Sequence, residues 1–234
     1  MALVVESLCA AYGDTQVLWD ASLRLEPGEV VALIGSNGAG KSSLLGAMSG
    51  LVRKRGGTVV YDGTDLTSLA PDAIVRAGMV QVPQGRRLFN ALTVRENLLM
   101  GAYLRRDGDV KGDLERVLEM LPRLRQRYDF LAGRLSGGEQ QQVAIARALM
   151  ARPKVMLIDE MSLGLAPVLV EQLLEILATI NASGVGILMV EQDVQTALEF
   201  ASRAYVLETG RVTLAGAAAA LLDDPQVQKA YLGV

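Results

Sequence analysis

The chain has 234 residues, half of them hydrophobic and 21% charged, with a formal net charge of -3 and no histidine. That length and apolar content suit one folded domain with a substantial core and exclude a disordered chain. The mild acidic balance and the 4% aromatic content argue against a nucleic-acid partner, which calls for a basic surface or stacking rings.

A lone cysteine, Cys9, leaves no internal disulfide and fits a reducing cytoplasm. The opening MALVVESL has no basic flank and meets Glu6 early, so it does not read as a signal peptide. The apolar run at 215–222 is far short of the ~20 residues that span a bilayer.

In chain order, LVVESLCAAY, VLWDASLRL and EVVALIG predict three strands, with turns at Gly13-Asp14 and Pro27-Gly28. GKSSLLGAMSGL opens a helix, GTVVYDG is a short strand, and GMVQVPQ is a strand stopped at Pro83. From about Thr93 to Leu149 the pattern turns helical. Thr93 with Glu96 three residues later is a capping box. DLERVLEMLPRLRQRY places Leu114, Val117, Leu118 and Leu121 on one face and breaks at Pro122. KVMLIDE, GVGILMVEQ and RAYVLETG then predict buried strands, with the helix APVLVEQLLEILATI between the first two and a short terminal helix in DDPQVQKAYLGV. The alternation implies an α/β fold with a mainly parallel sheet. The predicted organisation is a core over 1–84 and 153–216, an inserted helical lobe over 85–152 and a helical tail over 217–234.

Gly35-Ser-Asn-Gly-Ala-Gly-Lys-Ser42 matches the pattern G-x-x-x-x-G-K-[ST] and lies between a strand and a helix. Its glycines let backbone N–H groups turn toward phosphates, and the helix start adds a positive dipole end. Candidate nucleotide contacts are thus Gly35, Ser36, Asn37, Gly38, Ala39, Gly40, Lys41, Ser42 and Ser43. Lys41 is expected to reach the β- and γ-phosphates, and the Ser42 hydroxyl to hold Mg²⁺. Asp159 ends an apolar strand as a second candidate for Mg²⁺. Glu160 follows as candidate general base for an attacking water.

Leu135-Ser-Gly-Gly-Glu-Gln140 resembles the signature of ABC ATPases, and the order of motifs around it is similar over essentially the whole chain. The resemblance implies a RecA-like P-loop NTPase core, an N-terminal antiparallel β subdomain, and ATP and Mg²⁺ as ligands. It implies that Ser136, Gly137, Gly138 and Glu139 close over ATP held by a partner subunit. The helix start there offers free N–H groups and a hydroxyl. Tyr12 matches the aromatic that stacks on adenine. Gln84 matches the residue that reaches Mg²⁺ and the attacking water, and Ser162-Leu-Gly-Leu165 matches the loop that crosses the dimer interface. Most of the family ends the switch strand in a histidine, and here Gln192 stands in that place. An amide donates and accepts hydrogen bonds without titrating near neutral pH, so proton transfer is expected of Glu160, with Gln192 positioning.

VPQGRRLF, SLGLAP, VEQ and AYLG together resemble the F-type ATPase of branched-chain amino acid importers, with urea and amide systems similar. Two departures stand out: Gln84 where VPEGR is common, and Met161 where a proline usually stiffens the loop. Met161 lifts that constraint on φ, so the loop's geometry is left open by the sequence. The resemblance implies a second ATPase subunit, two membrane permease subunits and, indirectly, an extracytoplasmic solute-binding protein, with the chain peripheral on the cytoplasmic face of the membrane. A sister ATPase is favoured over a second copy. Apolar residues around 86–89 are expected to cradle a helix of the membrane partner. ABC ATPases of translation resemble two tandem cassettes and those of repair carry long inserts, neither of which is present. Lipopolysaccharide exporters usually keep the switch histidine, and a P-loop kinase leaves LSGGEQ unexplained.

Overall fold

Two sheets share one core in the computed structural model, which describes residues 2–232. Met1, Gly233 and Val234, included in the expectations for the N-terminus and the tail, lie outside the described residues. The first sheet is antiparallel: β1 (Leu3–Tyr12), β2 (Thr15–Leu25), β4 (Arg53–Tyr61) and β5 (Thr64–Asp65), ordered β2-β1-β4-β5. The tight turn at Gly13, with φ of 56°, closes the β1–β2 hairpin.

The second sheet holds β3 (Val30–Ile34), β6 (Met79–Val82), β7 (Val155–Asp159), β8 (Gly186–Val190), β9 (Arg203–Glu208) and β10 (Arg211–Ala217), in the order β10-β9-β3-β8-β7-β6. All neighbours run parallel except β10, which is antiparallel to β9. Every residue of β3, β7 and β8 is buried. This is why they read as unbroken apolar runs: both faces are covered. One face packs against the antiparallel sheet and α1 (Lys41–Met48), around Leu33, Leu44, Leu157 and Leu188. The other packs against α7 (Pro167–Ala182) through Leu173, Leu177 and Ile180.

The helical lobe has its own core. In α3 (Val94–Gly101), α4 (Val110–Met120), α5 (Pro122–Gln126) and the linker residue Leu121, the inward residues are Val94, Leu98, Leu114, Val117, Leu118, Leu121 and Leu124. Thr93 and Glu96 form the expected capping box, and Pro122 starts α5 at the break read from the sequence. Helix α6 (Gly137–Leu149) serves both bodies: Ala144, Ile145 and Ala148 join the sheet's core, and Val143 and Ala146 the lobe's. At the lobe's foot Asp113, 8% exposed, forms ion pairs with Arg105, Arg116 and Arg152.

Among the elements that escaped the sequence reading are β5, α2 (Pro71–Arg76), α8 (Val194–Phe200) and β10, whereas α9 (Ala218–Leu222) falls within the expected helical tail. The helices are too short to show a period. The edge strand RVTLAGA alternates only between half-buried and exposed and carries small residues of weak strand preference. The tail is a short helix, Pro225–Val227, continued by a wider turn over Gln228–Leu232.

Candidate functional site

The site forms where the parallel strands end, the usual place for a ligand in such sheets. β3 delivers the phosphate-binding loop, β6 delivers Gln84, β7 delivers Asp159 and Glu160, and β8 delivers Glu191 and Gln192. A Cβ on Gly35 would collide with the Leu207 carbonyl oxygen, so only glycine lets β3 turn into the loop beside β9. Gly40 is the N-cap of α1 with φ of 105°, and no side chain caps this helix. Its first N–H groups therefore remain for a ligand. Asn37, Gly38, Gly40, Lys41, Ser42, Ser43 and Glu160 line a cavity of about 160 Å³ at this helix start.

Lys41 is 5% exposed, and its ammonium donates to the carbonyls of Gly35 at 2.7 Å and Ser36 at 3.1 Å. Burial pushes its pKa below the ordinary value, while the Glu160 and Asp159 carboxylates oppose that shift. The Ser42 hydroxyl donates to Asp159 Oδ1 at 3.0 Å. Burial raises the Asp159 pKa, with the Ser42 hydrogen bond acting the other way. A hydroxyl and a carboxylate oxygen side by side are the donor set a hard divalent cation prefers.

Glu160 takes a left-handed backbone conformation, φ of 47°, rare for a side chain of this size, and its N–H donates to Val190 O at 2.9 Å. Two amides from two strand ends meet on one of its oxygens. Gln84 Nε2 donates to Glu160 Oε2 at 2.6 Å and Gln192 Nε2 donates to the same atom at 2.8 Å. The exposed Tyr12 stands at the cradle's rim, its hydroxyl accepting from Ser43 Oγ at 3.4 Å.

The signature residues stand apart from this cavity, and none of them lines it. Ser136 is the N-cap of α6 and forms a reciprocal box with Glu139. Glu139 Oε2 accepts from the Ser136 N–H at 2.9 Å and hydroxyl at 2.8 Å, and Glu139 Oε1 accepts from Arg127 Nε at 2.9 Å. The Arg127 guanidinium holds the Glu139 pKa below its ordinary value. Gly137 and Gly138 admit close neighbours: a Cβ on Gly137 would stand 3.1 Å from Arg86 Nη2 and 3.3 Å from Leu165 Cδ2.

Further contacts were not in the sequence reading. Met161, without proline's fixed φ, is held by its neighbours instead. It is 1% exposed and packs in the sheet's second core, and its N–H donates to Glu191 Oε1 at 3.1 Å. The Ser162 hydroxyl donates to Glu191 Oε2. Asp193 caps α8, accepting from Thr196 N at 3.1 Å. On α6, Arg147 donates to Arg87 O at 2.8 Å and Arg86 O at 3.0 Å. Both arginines have positive φ, which turns their carbonyls toward it. Of the apolar pair 88–89, Leu88 packs against both cores, whereas Phe89 is 47% exposed. With Val75, Met100, Tyr103, Leu104 and Arg147, Phe89 lines a groove of about 490 Å³.

The sequence pattern of the family described as "ABC transporter" matches residues 18–162. The chain belongs to this family. It is 46% identical over 231 residues, 99% of each chain, to the high-affinity branched-chain amino acid transport ATP-binding protein BraG of Pseudomonas aeruginosa. It is 36% identical, over 97% of each chain, to the probable branched-chain amino acid transport ATP-binding protein LivF of Archaeoglobus fulgidus. A solved ATP-binding cassette of an ABC transporter in its ADP conformation superposes with a TM-score of 0.89 at 29% identity, covering 100% of both chains. This chain is accordingly an ABC ATPase with a nucleotide site. No helix among its described residues is long and apolar enough to cross a membrane.

Proposed function

We propose that this chain hydrolyses ATP to drive branched-chain amino acid import through separate membrane subunits. The cargo rests on the full-length likeness to BraG. The chemistry rests on one observation: Lys41, Ser42, Asp159 and Glu160 converge on a glycine-walled helix start, with two amides steering the Glu160 carboxylate.

In this reading the loop from Gly35 to Ser43 wraps the phosphates, Lys41 meets the β- and γ-phosphates, and Tyr12 stacks on the base. Ser42, Asp159 and Gln84 would hold Mg²⁺, which screens phosphate charge when bound. Glu160 accepts the proton of the attacking water, a role typically worth ~10²–10⁴ in rate. Gln84 and Gln192 hold the Glu160 carboxylate, and with ATP bound Gln192 would turn its amide to the γ-phosphate. An amide can serve either partner because it donates and accepts but carries no titrating proton.

Ser136 and the N–H groups behind it complete the site of a second ATPase subunit, with a sister ATPase favoured over a second copy. The separation of the signature from its own cradle supports this, since each then needs a partner. The groove around Phe89 and Tyr103 receives a cytoplasmic helix of one of two permease subunits. That contact keeps the chain on the cytoplasmic face of the membrane, and a solute-binding protein acts on the far side. The test is uptake into proteoliposomes holding this chain, its permease subunits and the binding protein. ATP-dependent leucine uptake, abolished by Glu160→Gln, is expected. Uptake of urea or an amide instead would refute the cargo.

A further inference from the structure

Glu191 is the most buried carboxylate of the site, 2% exposed, and touches neither cradle nor signature. Desolvation raises its pKa, the hydrogen bonds from Ser162 and Met161 oppose that, and the Glu160 charge adds to it. None of the strongest influences on it is a cation. A carboxylate in such a place costs free energy unless its oxygens are satisfied. Both oxygens are: Oε1 accepts the Met161 N–H at 3.1 Å, and Oε2 accepts the Ser162 hydroxyl. A proline at 161 would have no N–H to give.

The β7–β8 register explains the meeting. Asp159 pairs with Val190, so the residues just beyond each strand, Glu160 and Glu191, emerge side by side. What Glu191 holds is the start of a short built loop. Leu165 N–H donates to Ser162 O at 3.0 Å, Gly164 takes φ of 72°, and Leu163 is 47% exposed at the tip. Leu165 lies against Gly137 of the signature, 3.3 Å from the position of its missing Cβ. The next residue along the chain from Glu191 is Gln192, whose amide is on Glu160.

We propose that Glu191 is a positioning residue for ATP hydrolysis: by clasping Met161 and Ser162 it makes the loop 161–165, the end of β8 with Gln192, and the flank of the signature one rigid unit. Glu160 keeps its chemistry but needs this unit to meet the partner subunit in register. The inference rests on the reading of the chain as an ATPase, not on its cargo.

The test compares Glu191→Ala, Glu191→Gln, Ser162→Ala and the Glu191→Ala/Ser162→Ala pair in the full-length chain. Glu191→Ala should lower kcat by about tenfold or more, the size of a lost hydrogen bond to a charged group, while ATP affinity stays within about twofold, the mark of a loss felt only at the transition state. Glu191→Gln keeps an acceptor for Met161 N–H and should restore most of kcat. The double variant should fall short of the product of the two single effects, because both act on one clasp. Hydrogen exchange on the nucleotide-free chain reads the clasp without turnover: the Met161 amide should exchange faster in Glu191→Ala and at the wild-type rate in Glu191→Gln. Unchanged exchange or unchanged kcat in Glu191→Ala overturns the proposal. So does a joint fall of kcat, ATP affinity and thermal stability that Glu191→Gln does not rescue. A wild-type chain that binds ATP without ever hydrolysing it would instead strike the ATPase reading and leave the exchange result to judge the clasp.

Discussion

Every helix begins at an anion-attracting end, and two of this chain finish theirs in opposite ways. Helix α1 starts at Gly40 with no side-chain cap, so its N–H groups are left for a guest, beside a Lys41 ammonium resting on the loop's own carbonyls. Helix α6 starts at Ser136 inside a capping box closed by Glu139, which Arg127 also holds. An uncapped start is unfinished without a ligand, whereas a capped start is stable by itself and can sit exposed until something docks. The contrast separates a residue's part in gripping a nucleotide from its part in closing over one.

Charge at α1 should produce the largest effect. Lys41→Ala is expected to abolish ATP binding, whereas Glu160→Gln should bind ATP and lose ~10²–10⁴ in kcat; equilibrium binding and steady-state hydrolysis separate the two. Next in size, Ser136→Ala should leave the ATP affinity of the isolated chain unchanged. It should weaken ATP-driven pairing measured by sedimentation in the Glu160→Gln background, and cost about 1 kcal/mol of stability through the lost cap. A loss of monomer ATP affinity as deep as that of Lys41→Ala would dissolve the contrast.

Acid should separate the two regions by sign. Glu139 has a lowered pKa in the folded chain, so its contribution is present above the unfolded value of about 4.3 and is lost as pH falls through the folded value. The stability gap between wild type and Glu139→Gln should therefore shrink on acidification below about pH 4. Asp159 has a raised pKa, so its protonated form is favoured by folding. That contribution is full below about pH 3.9 and lost as pH rises through the folded value. In nucleotide- and Mg²⁺-free buffer, Asp159→Asn should gain stability over wild type as pH rises. Thermal melts of the three chains between pH 3 and pH 8 check both directions. Least affected is the fold under Phe89→Ala: an exposed ring should cost within about 0.5 kcal/mol and leave ATP binding alone, while transport in the assembled complex falls. Undiminished transport would remove the groove from the partner interface.

What could be read beforehand follows from range. The loop from Gly35 to Ser42, the buried strands β3, β7 and β8, and the Thr93 cap depend on neighbours within a few residues, and periodicity or spacing exposes them. The amides of Gln84 and Gln192 meet Glu160 across 76 and 32 residues; resemblance named these positions, but only strand register brings them to one oxygen. The place of Met161 was out of reach for the same reason. Taken alone it is a residue without proline's fixed φ. In the fold it is packed in the core and bonded to Glu191, 30 residues away. The sign in the sequence was Glu191 itself, an acidic residue directly after the uncharged strand GILMV.

Arg147 grips two consecutive carbonyls just beyond Gln84, from a helix whose other end is the signature. A planar group with two such bonds fixes angle as well as distance, so α6 and the segment just beyond Gln84 are held as one piece. On the function proposed above, the same side chain also edges the groove for the permease. Fuel consumption and gate movement would then share one mechanical linkage, and a slack joint at this arginine would let the motor run idle.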